Sequence, residues 1–265
     1  MAKKNDISTE FMSVLDKYDK NITELLDGSN LSTIQFKQIV LNEFKKISAL
    51  QSSFKSNPKS VISTILTCCE LQLHPSQIIG EFYFSVSDNF VTVPIIGYKG
   101  LVTLLMRNDK VKKIWSEVVY EDDDFEYELG LNPKLLHIPN HLAIRNANTF
   151  KYVYSCIKID DEVLFKVMSK KDILAIAKIS KVSSNFYFND KKDPENWMQK
   201  KTCLKQLTKL IPKSDFSVKK AIALDDNIEG GAFLDLTDDN QTELVKQNTI
   251  TKKSSILDKL KFEDE

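Results

Sequence analysis

Among its 265 residues the chain has seven glycines, seven prolines and two arginines, Arg107 and Arg145. So few helix and strand breakers exclude a collagen-like or low-complexity polymer. The shortage of arginine removes the side chain best suited to bidentate reading of base edges, so any anion bound here meets lysine point charges instead. The four cysteines, Cys68, Cys69, Cys156 and Cys203, lie on apolar stretches without Cys-x-x-Cys spacing. That pattern argues against a zinc ligand set or a disulfide framework and for small core residues. No run of about 18 apolar residues is present to span a bilayer. The start, Met1-Ala2-Lys3-Lys4-Asn5-Asp6, leads into polar sequence rather than the apolar stretch of a signal peptide. A cytoplasmic protein with no membrane partner is expected. G-x-x-x-x-G-K-[ST], G-x-S-x-G and H-E-x-x-H are all missing, so no ATP-driven motor, serine hydrolase or zinc protease is indicated, and no enzyme is expected.

A net charge is also missing, because 37 basic side chains balance 37 acidic ones. The balance conceals an asymmetry. Residues 225–265 hold 11 acids and five lysines, net −6, which leaves residues 1–224 with 32 bases and 26 acids, net +6. A basic body joined to an acidic tail is electrostatically unlike a neutral sphere.

Hydrophobic periodicity gives the organisation. Helical spacing covers residues 10–27 and 31–50, with Gly28-Ser29-Asn30 between them, and Asn57-Pro58 reads as the cap and first turn of a third helix to about Leu71. The period then becomes two. Phe82, Phe84 and Val86 and, after Ser87-Asp88-Asn89, Val91, Val93 and Ile95 predict a hairpin with Pro94 at an edge. A short helix follows Gly97-Tyr98-Lys99-Gly100 to about Arg107. Strands are expected at 111–121, 150–159 and 163–168, with a loop punctuated by Pro133 and Pro139 after the first. Ser169-Lys170-Lys171-Asp172 opens a helix to about Ser180. Asp193-Pro194-Glu195 opens another to Ile211, stopped by Pro212. The expected fold is α+β, a mostly antiparallel central sheet with packed helices. Residues 1–57 form a helical N-terminal region suited to oligomerisation, 58–224 the core, and 225–265 an acidic tail with one short helix at 254–262.

The richest chemical signal lies between 166 and 220, where 14 lysines face five acids. Lysine contacts to phosphates release counterions and account for most sequence-independent nucleic-acid binding. On the helix 194–211, Cys203, Leu204, Leu207, Leu210 and Ile211 share one arc, while Lys201, Lys205 and Lys209 recur every four residues opposite it. A lysine ridge open to solvent is expected, with Met198 offering an apolar contact to a base and Thr202 a hydroxyl to a phosphate. Lys200 points into the apolar arc, either as a functional exception or with its stem snorkelling past the first turn. Phe186-Tyr187-Phe188-Asn189-Asp190-Lys191-Lys192 interleaves aromatics with lysines, the pattern of unpaired-base stacking, unless the aromatics plug a loop. Gly97-Tyr98-Lys99-Gly100 permits close backbone approach and presents helix-start N–H groups to a phosphate. His137 and His141 with Asp122, Asp123 or Asp124 could make a loop metal site, which would suit a metal-dependent nuclease.

In order and spacing these elements resemble the RecT family of phage and prophage single-strand annealing proteins. The resemblance rests on Thr64 to Leu73 with the aromatic hairpin, Gly97-Tyr98-Lys99-Gly100, Glu117 to Phe125, and Gly130 with Pro133 and His137. It continues in Met198-Gln199-Lys200-Lys201-Thr202 and on to Leu210-Ile211-Pro212-Lys213-Ser214, covering about 58–224. It implies ATP-independent binding of single-stranded DNA, pairing of complementary strands, and a homo-oligomer in the form of a ring or helical filament. It also implies contact of the acidic tail with a phage-type 5′-to-3′ exonuclease or a host single-strand binding protein. The expected DNA-binding set is Tyr98, Lys99, Arg107, Phe186, Tyr187, Lys191, Lys192, Met198, Lys200, Lys201, Thr202, Lys205 and Lys209. The partners are then single-stranded DNA and the annealed duplex. No cofactor is expected, neither ATP nor a metal at an assigned site, although magnesium could assist the annealed state. An adaptor that coats DNA without annealing it is the other reading.

Overall fold

The helical spacing of the first 70 residues resolves into five short helices. They are α1 (Ile7–Asp16), α2 (Asp19–Leu25), α3 (Thr33–Lys46), α4 (Ser48–Ser56) and α5 (Pro58–Glu70) in a computed structural model that describes residues 6–179, 186–211 and 216–229. The two longer helices expected at 10–27 and 31–50 are each broken. At the second break, extended Ile47 ends α3 and starts α4. Gln51 Nε2 donates to the carbonyls of Phe44 at 3.0 Å and Lys45 at 3.1 Å, satisfying acceptors that the break would orphan. Ser32 and Gln35 form a full capping box on α3. Asn57 accepts from the Ser60 amide at 3.1 Å ahead of Pro58, as the sequence predicts.

Phe11 stacks on Phe44 at 4.0 Å, and Phe54 meets both edge-on. This core runs without interruption through α5 and the hairpin of β1 (Phe82–Val86) and β2 (Thr92–Ile96) to α6 (Tyr98–Met106). The described part of the helical N-terminal region thus contributes to the same core as the residues that follow. Pro94 pairs with Phe84 in a two-stranded sheet, where every strand is an edge.

The central sheet starts with β3 (Val111–Tyr120). A hairpin of β4 (Asp124–Glu128) and β5 (Lys134–Ile138) follows where a loop is expected, with Pro133 and Pro139 flanking its second strand rather than interrupting it. β6 (Phe150–Ile159) and β7 (Glu162–Ser169) complete an antiparallel sheet of order β3-β6-β7. Strand alternation sends Val153, Ser155 and Ile157 to one face and Tyr152, Tyr154 and Cys156 to the other. The first face receives α8 (Trp197–Thr208), with Cys203 against Val153, and α7 (Lys170–Ile179) packs beside it. The second face lies under Phe125 and Leu135 of the hairpin. Ser169 and Asp172 cap α7 reciprocally, as expected. Helix α9 (Phe216–Glu229) buries Val218, Ala221, Ile222 and Leu224 in the large core, although the acidic tail was expected to begin within this stretch. The architecture is α+β, as the sequence indicates. Pro212, the rest of the acidic stretch and the short helix at 254–262 lie outside the described residues.

All four cysteines are buried and unbonded to one another. Burial pushes the Cys203 thiol up to about 11 and the Cys156 thiol up to about 12, so neither ionises near neutrality.

Candidate nucleic-acid interface

The lysine ridge expected on α8 is not an open surface. Lys201 and Lys205 are 4% and 1% exposed. The Lys201 ammonium sits 2.5 Å from one oxygen of Asp225, and that of Lys205 2.9 Å from the other and 3.0 Å from Asp226. Lys209 pairs with Asp226 at 2.9 Å, although it remains exposed. The wheel of α8 locates the polar face correctly, but α9 covers that face and brings two carboxylates with it. Burial opposes the charge on Asp225, yet the attraction of Lys201 and Lys205 outweighs it and holds the carboxyl below its ordinary value. Thr202 is likewise buried, sharing a 2.7 Å hydrogen bond with the hydroxyl of Tyr187. Tyr187 is therefore a plug under its loop, not a stacking surface. Met198 packs partly buried among the residues around Val118, Val153 and Cys203.

The other side of α8 is different. Asp193 accepts from the amides of Trp197 at 2.9 Å and Met198 at 2.8 Å, so the acidic cap read from the sequence acts on the first turn. That turn presents Trp197, whose ring lies 5.3 Å from Tyr98 at a 44° tilt. Lys200, one turn along, places its ammonium 5.2 Å from the centre of the Trp197 ring and 3.7 Å from Glu117 at the β3 edge. Its stem thus runs past the apolar arc to the sheet edge, the snorkelling alternative. Lys99 follows Tyr98 and is exposed. Tyr98, Trp197 and Lys200 therefore line one seam between α6, α8 and β3, while the stem of Lys99 lies beside Gly80.

The glycines flanking Tyr98 and Lys99 have a structural reason. A Cβ at Gly97 would overlap the Gly80 carbonyl, and one at Gly100 the Glu81 carbonyl. The close backbone approach that the glycines permit is made to the chain itself, and the Gly97 amide donates to Glu81 at 2.9 Å. The glycines fix the start of α6, and through it Tyr98, against the Gly80-Glu81 segment that leads into β1. Gly97 leaves that start without a side-chain cap.

The loop leading into α8 carries a second exposed pairing of an aromatic ring with lysine. Phe186 is 43% exposed, and the exposed Lys192 places its ammonium 5.5 Å over that ring, next to exposed Lys191. Phe188 instead meets Phe150 edge-on at 5.0 Å. Of the three aromatics, one faces outward. Arg107 lies at the far end of α6, away from Tyr98, and its guanidinium donates to the Gln72 carbonyl at 2.8 Å. There it borders a cleft of about 370 Å³ with Asn30, His74 and Glu81.

The expected set thus divides. Tyr98 and Lys200 come together around Trp197, Lys99 is exposed beside Tyr98 in the chain, and Phe186, Lys191 and Lys192 are exposed on the loop that enters α8. Lys201, Thr202, Lys205 and Tyr187 are internal, Lys209 is tied to α9, and Arg107 is elsewhere. Sequence reasoning missed Trp197 and Glu117. Trp197 was findable, because it stands three residues before Lys200 and so shares its helix face. Glu117 gave no signal on β3.

Asp123 and His137 do meet, but as a buried clamp. Asp123 accepts from the amides of Tyr120 at 2.9 Å and Asn140 at 2.9 Å and from the Arg145 guanidinium at 3.0 Å. His137 Nε2 lies 3.1 Å from the same carboxylate, and its Nδ1 is 3.2 Å from the Tyr154 hydroxyl. Among the described residues no group of three His, Cys, Asp or Glu side chains gathers as a metal would require. Of the acids that the nuclease reading names, Asp123 has both oxygens engaged in holding the hairpin, while Asp122 and Asp124 are exposed.

A family model described as the RecT family matches residues 34–238. Over 199 residues the chain is 28% identical to Protein RecT of Escherichia coli (strain K12), covering 71% of this chain and 70% of that protein. The match takes in α6, β3, the hairpin, α8 and α9, and with it both sides of the lysine-bearing helix. The chain belongs to the RecT family.

Proposed function

We propose that the protein binds single-stranded DNA without ATP and anneals complementary strands as an oligomer, gripping phosphates and leaving bases free to pair. The family assignment supports the recombination role, and one arrangement carries the DNA reading. Lys200 lies beside the Tyr98–Trp197 pair with exposed Lys99 next to Tyr98 in the chain, and Lys192 lies over the exposed ring of Phe186 on the loop that enters α8. Ammonium groups beside aromatic faces hold a polynucleotide by its backbone and tolerate any base. The lysines at 201 and 205 are left out of this site, because a strand would have to displace α9 to reach them. In this reading Lys200 exchanges Glu117 for a phosphate, and no metal or nucleotide takes part in an assigned site. Residues beyond 229 are assigned to partner contact with an exonuclease or a single-strand binding protein, and the setting is the cytoplasm of a bacterial or phage-infected cell. Among the described residues no helix is long and apolar enough to cross a membrane.

The test is annealing of complementary oligonucleotides without nucleotide triphosphate, followed across a salt series. Acceleration by the wild type and its loss in Lys99→Ala with Lys200→Ala are expected. Binding without any acceleration would establish the adaptor reading instead.

A further inference from the structure

The hairpin of β4 and β5, a two-stranded sheet of its own, breaks the alternation expected of strands covered on one face. Phe125, Tyr127, Leu135 and His137 face inward, with the Phe125 ring 5.8 Å from Tyr154 and 5.5 Å from Tyr152. The outward positions of β5 ought then to be polar, but Leu136 and Ile138 occupy them, half exposed. The tip adds Leu129, 73% exposed, and Leu131, 100% exposed, on either side of Gly130. A strand apolar on both faces calls for cover on both, and this one is covered on one. The clamp at Asp123 holds its base, so the face is presented by a fixed element.

Charge selects what covers it. Glu121, Asp122, Asp124, Glu126 and Glu128 are exposed around these side chains, and among the acids of the outward face Glu128 has Lys134 at 3.2 Å. Such a surface repels DNA and anionic lipid alike. It also repels itself, which rules out a two-fold contact of hairpin with hairpin. The complement lies on the same chain. Residues 44–69 contain no acid, and Lys45, Lys55 and Lys59 are exposed along the end of α3, α4 and the start of α5, with Lys46 exposed but paired to Glu43 at 3.3 Å. Phe90 stands half exposed beside them, its carbonyl accepting from Ser53 of α4 at 2.7 Å.

From this complementarity we infer that the acidic, leucine-tipped hairpin of one copy docks on the basic α3–α5 surface of the next, a head-to-tail contact that builds rings or filaments. The inference deepens the oligomeric part of the proposed function by naming its interface, and leaves the DNA seam on α6 and α8 untouched.

The full chain is tested by sedimentation without DNA. Glu126→Lys with Glu128→Lys gives a protein basic at both surfaces, and Lys55→Glu with Lys59→Glu one acidic at both. Each alone is expected to fall from multi-subunit species to monomer, needing at least about tenfold more protein for half-assembly. Mixed in equal amounts they present complementary surfaces again, and assembly is expected to return. Leu131→Ser, at a fully exposed position that cannot harm the fold, should weaken assembly on its own. Wild-type monomer, wild-type assembly by either charge variant alone, or failure of the mixture to assemble would each overturn the inference. Short-oligonucleotide binding by the monomeric variants should match the wild type. Its loss would place the hairpin in the DNA site and equally refute the docking role, whereas failure of annealing in assembled wild type would count against the proposed function alone.

Discussion

Lys200 and Lys201 are neighbours on one helix and have opposite fates. The first lies along a tryptophan ring at the edge of the sheet, with a partly exposed carboxylate 3.7 Å away. The second is sealed beneath α9 against Asp225, and Lys205 joins it there. A step of about 100° around α8 separates a cation that can exchange its partner from one that cannot. Lysine spacing therefore tells which residues share a face, while the availability of that face depends on what the remainder of the chain lays across it.

The strongest way to break this contrast is to remove the anion beneath α9. Asp225→Ala removes the carboxylate that Lys201 and Lys205 share beneath α9, while Asp226 stays at the rim 3.0 Å from Lys205. Removing one partner from a buried ionic cluster costs about 3–5 kcal/mol. Urea unfolding should register a loss of that order. A loss below about 1 kcal/mol would mean that α9 leaves its place readily and that the lysines beneath it are available after all.

Acid attacks the same cluster. Asp225 and Asp226 have folded-state values below the ordinary 3.8, because in each case lysine attraction outweighs the burial that opposes it. A depressed carboxyl contributes stability that is fully present above its unfolded value and is lost as pH falls through its folded value. Asp123 and Asp172 act in the same direction, whereas burial raises Asp193, which works against them. Stability should be flat from pH 7 to 5 and fall below about pH 4. The fall should be shallower in Asp225→Asn than in the wild type, measured as the denaturation midpoint against pH.

DNA binding sharpens the contrast from the other side. Lys201→Met, Lys205→Met and Asp225→Leu together replace the buried ions by apolar groups, a change that is often neutral when packing is kept. The triple variant should bind a single strand with the wild-type salt dependence. Lys200→Ala should reduce the slope of log affinity against log salt by about 0.7, the loss of one single-strand phosphate contact. Trp197→Ala should weaken binding by about 1–3 kcal/mol if a base stacks there. A reduced slope in the triple variant would return the lysine ridge to the DNA site.

Most of the fold was legible because its elements declare themselves locally. Asn57-Pro58, the alternation of Phe82 to Ile95, the long strands β3 and β6 and the Ser169–Asp172 cap each depend on residues a few positions apart. What was illegible depends on distant partners. The break at Ile47 exists because Gln51 reaches back to satisfy its carbonyls, which no propensity announces. The β4–β5 hairpin hides in an acidic, proline-flanked stretch with poor strand propensity, and takes its inward face from Tyr152 and Tyr154 on another strand. In the candidate site, Tyr98, Lys99 and Lys200 were readable from residue type and spacing. The burial of Lys201 and Lys205 was not, since it is imposed by a helix some 20 residues away in sequence.

The mildest perturbation is at the rim of the sealed face. Lys209 and Asp226 are each about four-tenths exposed and 2.9 Å apart. Water screens such a pair, and fixing two side chains offsets part of the attraction, so Lys209→Ala should cost about 0–1 kcal/mol in urea unfolding. Its partner keeps Lys205 at 3.0 Å, so the substitution leaves no isolated buried charge. The contrast with Asp225→Ala, which involves the same helices and the same residue types, isolates burial as the variable. Were Lys209→Ala to cost as much as Asp225→Ala, the two helices would be held by total charge rather than by the closed geometry around Asp225. The distinction between Lys200 and Lys201 would then lose its physical basis.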